Sequence, residues 1–110
     1  MTDVNTTTQG GRLTKDPELK MIGETNKVSF SIASDEPKRK GQDESYTSFF
    51  DVELWGRKAE VVAEYFKKGD PIIVEGKLRQ DRWPDKDSGE KRSKLFIKAS
   101  DFYFMPKQKA

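Results

Sequence analysis

The spacing of the apolar residues is the feature that most constrains the fold of this chain. Val28, Phe30 and Ile32 alternate with polar residues, and the same period of two recurs in Phe50–Leu54 and Ile72–Leu78. Successive side chains on a strand point to opposite faces of the sheet. The alternation therefore predicts three strands whose even-numbered residues point into a core and whose odd-numbered residues point outward.

One segment between these strands follows a different period. Four apolar residues have the i, i+3, i+4, i+7 spacing of a helix that buries one face: Ala59, Val62, Ala63 and Phe66. This spacing predicts a helix over 57–68. Gly69 and Pro71 follow it, and both are typical of the end of a helix.

The order of the elements predicts the fold class. In chain order we expect a possible first strand within 1–11, strands over 27–33 and 46–55, the helix, and strands over 72–83 and 93–104. This is the order of the all-β OB fold, a five-stranded barrel with one α-helix between strands 3 and 4. Gly76 stands at an inward position of the fourth strand, where a glycine is typical of a bend.

The chain has the size of one domain with a small core. Its 110 residues fit a single OB-fold domain at 1–105, followed by a short basic C-terminal end at 106–110. Only 33% of the residues are hydrophobic. The predicted core consists of Leu13, Val28, Phe30, Ile32, Phe50, Val52, Leu54, Val62, Phe66, Ile72, Val74, Leu78, Leu95 and Ile97.

Large aromatic residues occupy outward positions on two of the predicted strands. Phe49 and Trp55 lie at odd positions of one strand, and Trp83 lies at an odd position of the next, together with Lys77 and Arg79. Exposed rings interleaved with cations are unusual on a monomer in water. They are typical of a surface that stacks unpaired bases and holds phosphates, so we predict that these residues bind a single-stranded nucleic acid.

Further cations lie next to these strands. Arg82 directly precedes Trp83, and the run Lys38, Arg39 and Lys40 lies in a charged loop predicted over 35–45. We predict that all four contact phosphates, because their positions bring positive charge to the edge of the aromatic surface.

The composition argues against catalysis. There are 21 Lys and Arg against 19 Asp and Glu, a net charge of +2, with no His and no Cys. The commonest general base and the thiol nucleophile are thus missing, and we expect no enzymatic activity, no metal and no cofactor. No apolar run approaches the length of a membrane span, so we expect a cytoplasmic protein without a membrane partner.

Three segments resemble the bacterial single-stranded DNA-binding proteins: GRLTKDPEL (Gly11–Leu19), FFDVELWGRKAEVVAEYFKKGDPIIVEGKLR (Phe49–Arg79) and RW (Arg82–Trp83). The resemblance implies an OB fold that assembles as a homotetramer and binds single-stranded DNA without sequence preference. It also implies association with the nucleoid and a role in DNA replication, recombination and repair. By position it implies base stacking by Phe49, Trp55 and Trp83 and phosphate contacts by Arg57, Lys68 and Arg79.

Three features differ from the usual pattern of that family. The family's apolar first strand, which helps to pair subunits, is replaced by the polar run 6–9, which leaves a dimer as an alternative to the tetramer. Lys38 stands near a position where the family often carries another aromatic. The basic stretch 106–110 stands where the family commonly has a linker and an acidic tip that recruits replication and repair proteins. We therefore expect either a truncated chain or a short paralogue.

The residues leave two other functions open. Outward aromatics also suit a protein-interaction module of a replication or priming complex, in which they would form a binding hot spot. The same surface also suits an RNA-binding OB protein, because nothing in the sequence reports on recognition of the 2′-hydroxyl.

Overall fold

A computed structural model describes residues 3–36, 40–41 and 46–105. These residues form β1 (Thr7–Leu13), β2 (Glu18–Ile22), β3 (Thr25–Glu36), β4 (Tyr46–Trp55), α1 (Arg57–Tyr65), β5 (Pro71–Pro84) and β6 (Lys91–Phe104). Five strands close into a ring in the order β1–β5–β6–β4–β3, because β1 pairs with β3 as well as with β5. The helix α1 falls between the third and fourth strands of this ring, so the predicted OB fold is confirmed.

The strand β2 is an addition that the alternation pattern did not predict. It pairs with β3 alone, at the edge of the sheet, and all five of its residues are exposed. Its alternation of polar and apolar residues is too short a signal to separate it from the turn before it.

The buried core lies inside the ring and against α1. It contains most of the predicted residues and adds Ala59 and Ala99, while Phe50 is only partly buried. The prediction was wrong for Leu78 and Leu95, which are both exposed. They point toward the core side of their strands but lie beyond the end of the barrel.

A two-stranded ribbon explains this exposure. Backbone pairing of β5 with β1 ends at Gly76, whereas the pairing of β5 with β6 continues to Pro84 opposite Lys91. Every residue of 77–84 is exposed. Neither face of β5 is covered in this segment, so alternation no longer separates buried positions from exposed ones on β5. On the partner strand β6, Phe96 and Ile97 remain buried.

Two glycines permit the close approach of strands that shapes the ring. A Cβ at Gly76 would lie 2.3 Å from the backbone oxygen of Lys98, at the point where the register of β5 and β6 shifts. This agrees with the bend predicted at Gly76. A Cβ at Gly11 would lie 2.4 Å from the backbone oxygen of Ala33, where β1 closes against β3.

The helix is shorter than its apolar spacing predicted. It ends at Tyr65, and Phe66 is already extended with φ −111° and ψ 143°, while its N–H donates to the Val62 oxygen. This turn buries the Phe66 ring, which stacks on Phe104 at a centroid distance of 4.9 Å. Lys68 therefore follows the helix and does not belong to its last turn. Within the described ranges, no helix is both long and apolar enough to cross a membrane.

Candidate nucleic-acid interface

The outer face of β3 and β4 presents two aromatic rings. Phe49 and Trp55 alternate with the buried residues Val52 and Leu54, and 69% and 37% of their respective surfaces are exposed. The cross-strand partner of Phe49 is Ala33, a side chain too small to cover the ring. Because the opposite face of this strand packs into the core, both rings are held on the outside of the barrel.

Lys27 is a further cation on this face and was not among the predicted site residues. It is the cross-strand partner of Trp55, and its Nζ lies 5.6 Å from the centroid of the indole ring. The same Nζ lies 2.9 Å from a carboxylate oxygen of Glu53. The cation–π contact and the ion pair together restrict both side chains. The sequence did contain a signal for Lys27: the even-numbered residues of β3 between Val28 and Ile32 are buried, so its odd number places Lys27 on the outer face.

A groove of about 200 Å³, called the polar groove because most of its lining residues are polar, lies between the outer face of β3 and β4 and the turn that follows β1. Its floor includes Ser29 and Ser31 of β3 and Asp51 and Glu53 of β4, and Lys94 of β6 borders it. Ser31 Oγ donates a 2.6 Å hydrogen bond to Asp51 Oδ1. The candidate surface is therefore mixed in charge, with carboxylates at its centre.

The third predicted stacking residue, Trp83, lies on the ribbon and is 44% exposed. It is paired with Arg92 of β6, two residues beyond Lys94, whose Nζ lies 3.9 Å from Asp51 Oδ2. Since β4 and β6 run parallel, the ribbon leaves the barrel on the Phe49 side of the groove. Trp83 thus extends the surface of β4 but does not share its rigid support.

The ribbon cations divide between its two faces. Lys77 and Arg79 alternate on the face of Trp83, whereas Arg82 points to the other face and donates to Gln80 Oε1 at 3.0 Å. The Arg79 side chain lies 3.7 Å from a carboxylate oxygen of Asp81, an exposed and therefore weak pair. Of the three cations on the β5 strand of the ribbon, Arg82 is thus the one on the opposite side from Trp83.

Lys77 lies directly opposite Lys98 of β6. Neither ammonium has an ion-pair partner among the described residues. Like charges facing each other across a sheet are unfavourable and create a local positive potential. This pair is suited to an anionic ligand. Lys98 was not predicted, because its place opposite Lys77 follows from the register between β5 and β6 and not from spacing along one strand.

A tight turn at the tip of the ribbon orders the strands next to Trp83. The N–H of Asp87 donates to Asp85 Oδ1 at 3.0 Å, and Arg92 Nε donates to Asp85 Oδ2 at 2.7 Å. These hydrogen bonds lower the pKa of Asp85 from its ordinary 3.8. The bond from the Asp87 backbone has the largest effect, followed by that from Arg92. The carboxylate is therefore charged at neutral pH, and these bonds are fully formed there.

The remaining predicted phosphate ligands are dispersed. Arg57 is exposed at the start of α1, two residues after Trp55, and Lys68 is exposed in the turn before β5, where its N–H donates to Asp16 Oδ1. Asp16 lines the polar groove, which places Lys68 near its rim. Lys40 is exposed in a turn, whereas Lys38 and Arg39 lie outside the described residues.

One aromatic residue on the outer face is buried. Phe96 alternates with the core residue Ile97 and is the cross-strand partner of Arg79, yet its ring is covered and Lys94 Nζ lies 6.0 Å from its centroid. Sequence parity would have placed it outside, and the covering side chains could not be read from spacing. Over residues 3–36, 40–41 and 46–105, no group of three or more Asp, Glu, His or Cys side chains is arranged to hold a metal ion.

Comparison with known proteins matches residues 4–105 to the family described as the single-strand binding protein family. A single-stranded DNA-binding protein of Treponema pallidum is 42% identical over 103 residues, which cover 92% of this chain and 57% of that protein. One of Borreliella burgdorferi is 36% identical over 88% of this chain and 66% of its own length. Single-stranded DNA-binding protein 1 of Synechocystis is 37% identical over 83% of this chain and 74% of its own length. The first two relatives are thus substantially longer than the segment that they share with this chain.

Proposed function

Because the chain belongs to the single-strand binding protein family, we propose that it binds single-stranded DNA without sequence preference and protects it during replication, recombination and repair. The observation that carries the proposal is the pair of exposed rings, Phe49 and Trp55, on a strand whose other face is core. Rings supported in this way are available to a ligand without rearrangement of the barrel.

The mechanism is passive and uses two kinds of contact. Unpaired bases stack on Phe49, Trp55 and Trp83, and each stacked base typically contributes about 1–3 kcal/mol. The phosphates bind cations around the rings, Lys77 and Arg79 among them, and release their counterions. Stacking is tolerant of sequence because every base has a π face. A strand held by its bases is unavailable for pairing, which is the proposed protection.

Tryptophan fluorescence tests the proposal directly, because both tryptophans of the chain belong to the proposed surface. Titration with dT oligomers at low salt should quench the fluorescence, and duplex DNA of equal length should compete weakly. Replacing Trp55 by Ala should weaken binding, whereas replacing Tyr65, an exposed aromatic on α1, should not. Absence of quenching at low salt would refute the proposal and favour a protein-docking role for the rings.

Competition between DNA and RNA oligomers of the same sequence decides the nucleic-acid class. We propose DNA as the ligand, so RNA should compete less well at equal length and salt. A preference for RNA would assign the surface to an RNA-binding OB protein. We further propose a non-catalytic protein that works in the cytoplasm in association with the nucleoid.

We also propose that the chain acts as a homo-oligomer, a tetramer or a dimer. The backbone of β1 supports this proposal, since within the described residues Thr7–Gly11 pairs with β5 on one side and β1 meets β3 only at Arg12 and Leu13. The unpaired edge of β1 is available to the same strand of a second copy. Light-scattering mass measures the assembly, and a monomeric mass at micromolar concentration would refute it.

A further inference from the structure

The residues that precede β1 run alongside the base of the ribbon. The pairing of β1 with β5 sets Thr7 opposite Gly76, so the same register places Asn5 opposite Leu78, the second residue of the exposed segment 77–84. A side chain replaces the backbone pairing here. Asn5 Nδ2 donates to the Leu78 oxygen at 2.7 Å, and Asn5 Oδ1 accepts from the Leu78 N–H at 2.9 Å. One amide group thus satisfies both backbone groups of Leu78.

These two hydrogen bonds hold the peptide groups on either side of Leu78. The N–H of Leu78 belongs to the peptide group that follows Lys77, and its carbonyl belongs to the peptide group that precedes Arg79. Both of these cations are proposed phosphate ligands. On its other edge this part of β5 pairs with β6, where Leu78 lies opposite Ile97. The base of the ribbon is therefore held from both edges.

A small rotation at this base is a large displacement at Trp83. Trp83 follows Leu78 by five residues, which span about 17 Å at about 3.3 Å per residue. A tilt of about 10° at Leu78 would move the indole ring by about 3 Å, close to the separation of about 3.5–4.0 Å between carbon atoms in contact. A ribbon that tilts freely must be ordered by its ligand, and that ordering weakens binding.

We propose that Asn5 is a positioning residue of the nucleic-acid interface. Its side-chain amide fixes the direction in which the ribbon leaves the barrel and so presents Arg79 and Trp83 to the DNA strand. The inference rests on the proposed function, since it requires a ligand on the ribbon. Both hydrogen bonds are exposed to solvent, so water replaces them when Asn5 is changed. The effect of Asn5 therefore belongs to binding and not to folding.

The first test compares two substitutions in the segment before β1. Asn5→Ala removes both hydrogen bonds, and Thr6→Ala, which shortens the next exposed side chain, is the matched control. The dissociation constant for a dT oligomer should rise about threefold to tenfold in Asn5→Ala, the effect of one net hydrogen bond. It should stay within a factor of two in Thr6→Ala. In both variants the midpoint of thermal unfolding should change by less than about 4 °C, and the light-scattering mass should be unchanged.

Double substitutions show whether the loss of affinity passes through the ribbon. Combined with Trp83→Ala, Asn5→Ala should weaken binding less than it does alone, because the ring that it positions is absent. Combined with Phe49→Ala, its effect should be unchanged, because the barrel supports Phe49. In Trp55→Phe, Trp83 is the single remaining tryptophan. Its fluorescence anisotropy should fall when Asn5→Ala is added and should not fall when Thr6→Ala is added.

Three results would overturn the proposal. The first is an unchanged dissociation constant or an unchanged anisotropy in Asn5→Ala. The second is an equal loss of affinity in the Trp83→Ala and Phe49→Ala backgrounds, which would assign the effect to the barrel as a whole. The third is a larger fall in the unfolding midpoint or a changed mass, which would assign it to folding or assembly. Failure of the unmodified protein to bind dT oligomers is a different result, which refutes the proposed function itself.

Discussion

Replacing Phe49 by Ala isolates the stacking contribution of a single ring. The side chain is 69% exposed, and its partner across the sheet is Ala33. Surface substitutions of this kind usually change the free energy of unfolding by less than about 0.5 kcal/mol. The variant should therefore fold normally and lose only the contact with the ligand.

The expected loss follows from the worth of a stacked base. Removal of the aromatic partner costs about 1–3 kcal/mol of binding free energy per base. Because about 1.4 kcal/mol corresponds to a factor of ten, the dissociation constant for a dT oligomer should rise about 5-fold to 150-fold per subunit. The upper part of this range is appropriate if a base covers the whole ring, because 69% of the Phe49 surface is exposed in the free protein.

Fluorescence quenching remains usable in this variant, because Trp55 and Trp83 are both retained. Tyr46→Ala is the matched control: Tyr46 belongs to the same strand and is also 69% exposed, but its even number places it on the other face. Tyr46→Ala should bind within a factor of two of the unmodified protein. Thermal unfolding of both variants verifies that the barrel is unchanged.

Equal effects of the two substitutions would refute the reasoning. In that case exposure alone, and not the face of β4, would determine the contribution of an aromatic ring. A loss below a factor of two for Phe49→Ala, with Trp55 and Trp83 still quenched, would remove Phe49 from the binding surface.

The other predictions concern the two-stranded ribbon and the close approach of strands in the barrel. Trp83→Ala should cost about 1–3 kcal/mol of binding per subunit, measured by quenching of the remaining tryptophan. Arg79→Ala should weaken binding to all sequences alike and reduce the slope of log K against log salt by about 0.7, whereas Lys58→Ala should leave the slope unchanged. Gly76→Ala should lower the free energy of unfolding by about 1–3 kcal/mol in denaturant titration, because the added methyl overlaps the backbone of Lys98.

The alternation of apolar and polar residues was sufficient to predict the strands of the barrel and most of its core. It succeeded where one face of a strand is buried, as in 28–32 and 50–54, since a shift of one residue there would expose the core. It failed at Leu78 and Leu95, because the register at which β5 leaves β1 is a tertiary property that spacing does not contain. The length of the ribbon depends on where β1 stops pairing with β5.

The candidate site, too, was predictable from the sequence only in part. Phe49 and Trp55 were placed correctly on the outer face because the even-numbered residues Val52 and Leu54 of the same strand are core residues. Their environment was not predictable from parity on one strand, since Lys27 comes from β3 and Lys94 comes from β6. Cross-strand register brings these side chains together, and register follows from closure of the ring.

Trp83 is assigned to the proposed binding surface for a different reason from the rings on β4. On the ribbon both faces are exposed, so the exposure of Trp83 does not follow from its odd number. What distinguishes it is its position: the ribbon emerges on the Phe49 side of the groove, and the turn at Asp85 fixes its tip. From Gln80 and Leu95 to the tip, both strands of the ribbon are exposed. This part has few buried contacts and should move more readily than the barrel. A DNA strand that stacks on both Phe49 and Trp83 would link the ribbon to the barrel, so binding should order 77–84 more than 49–55.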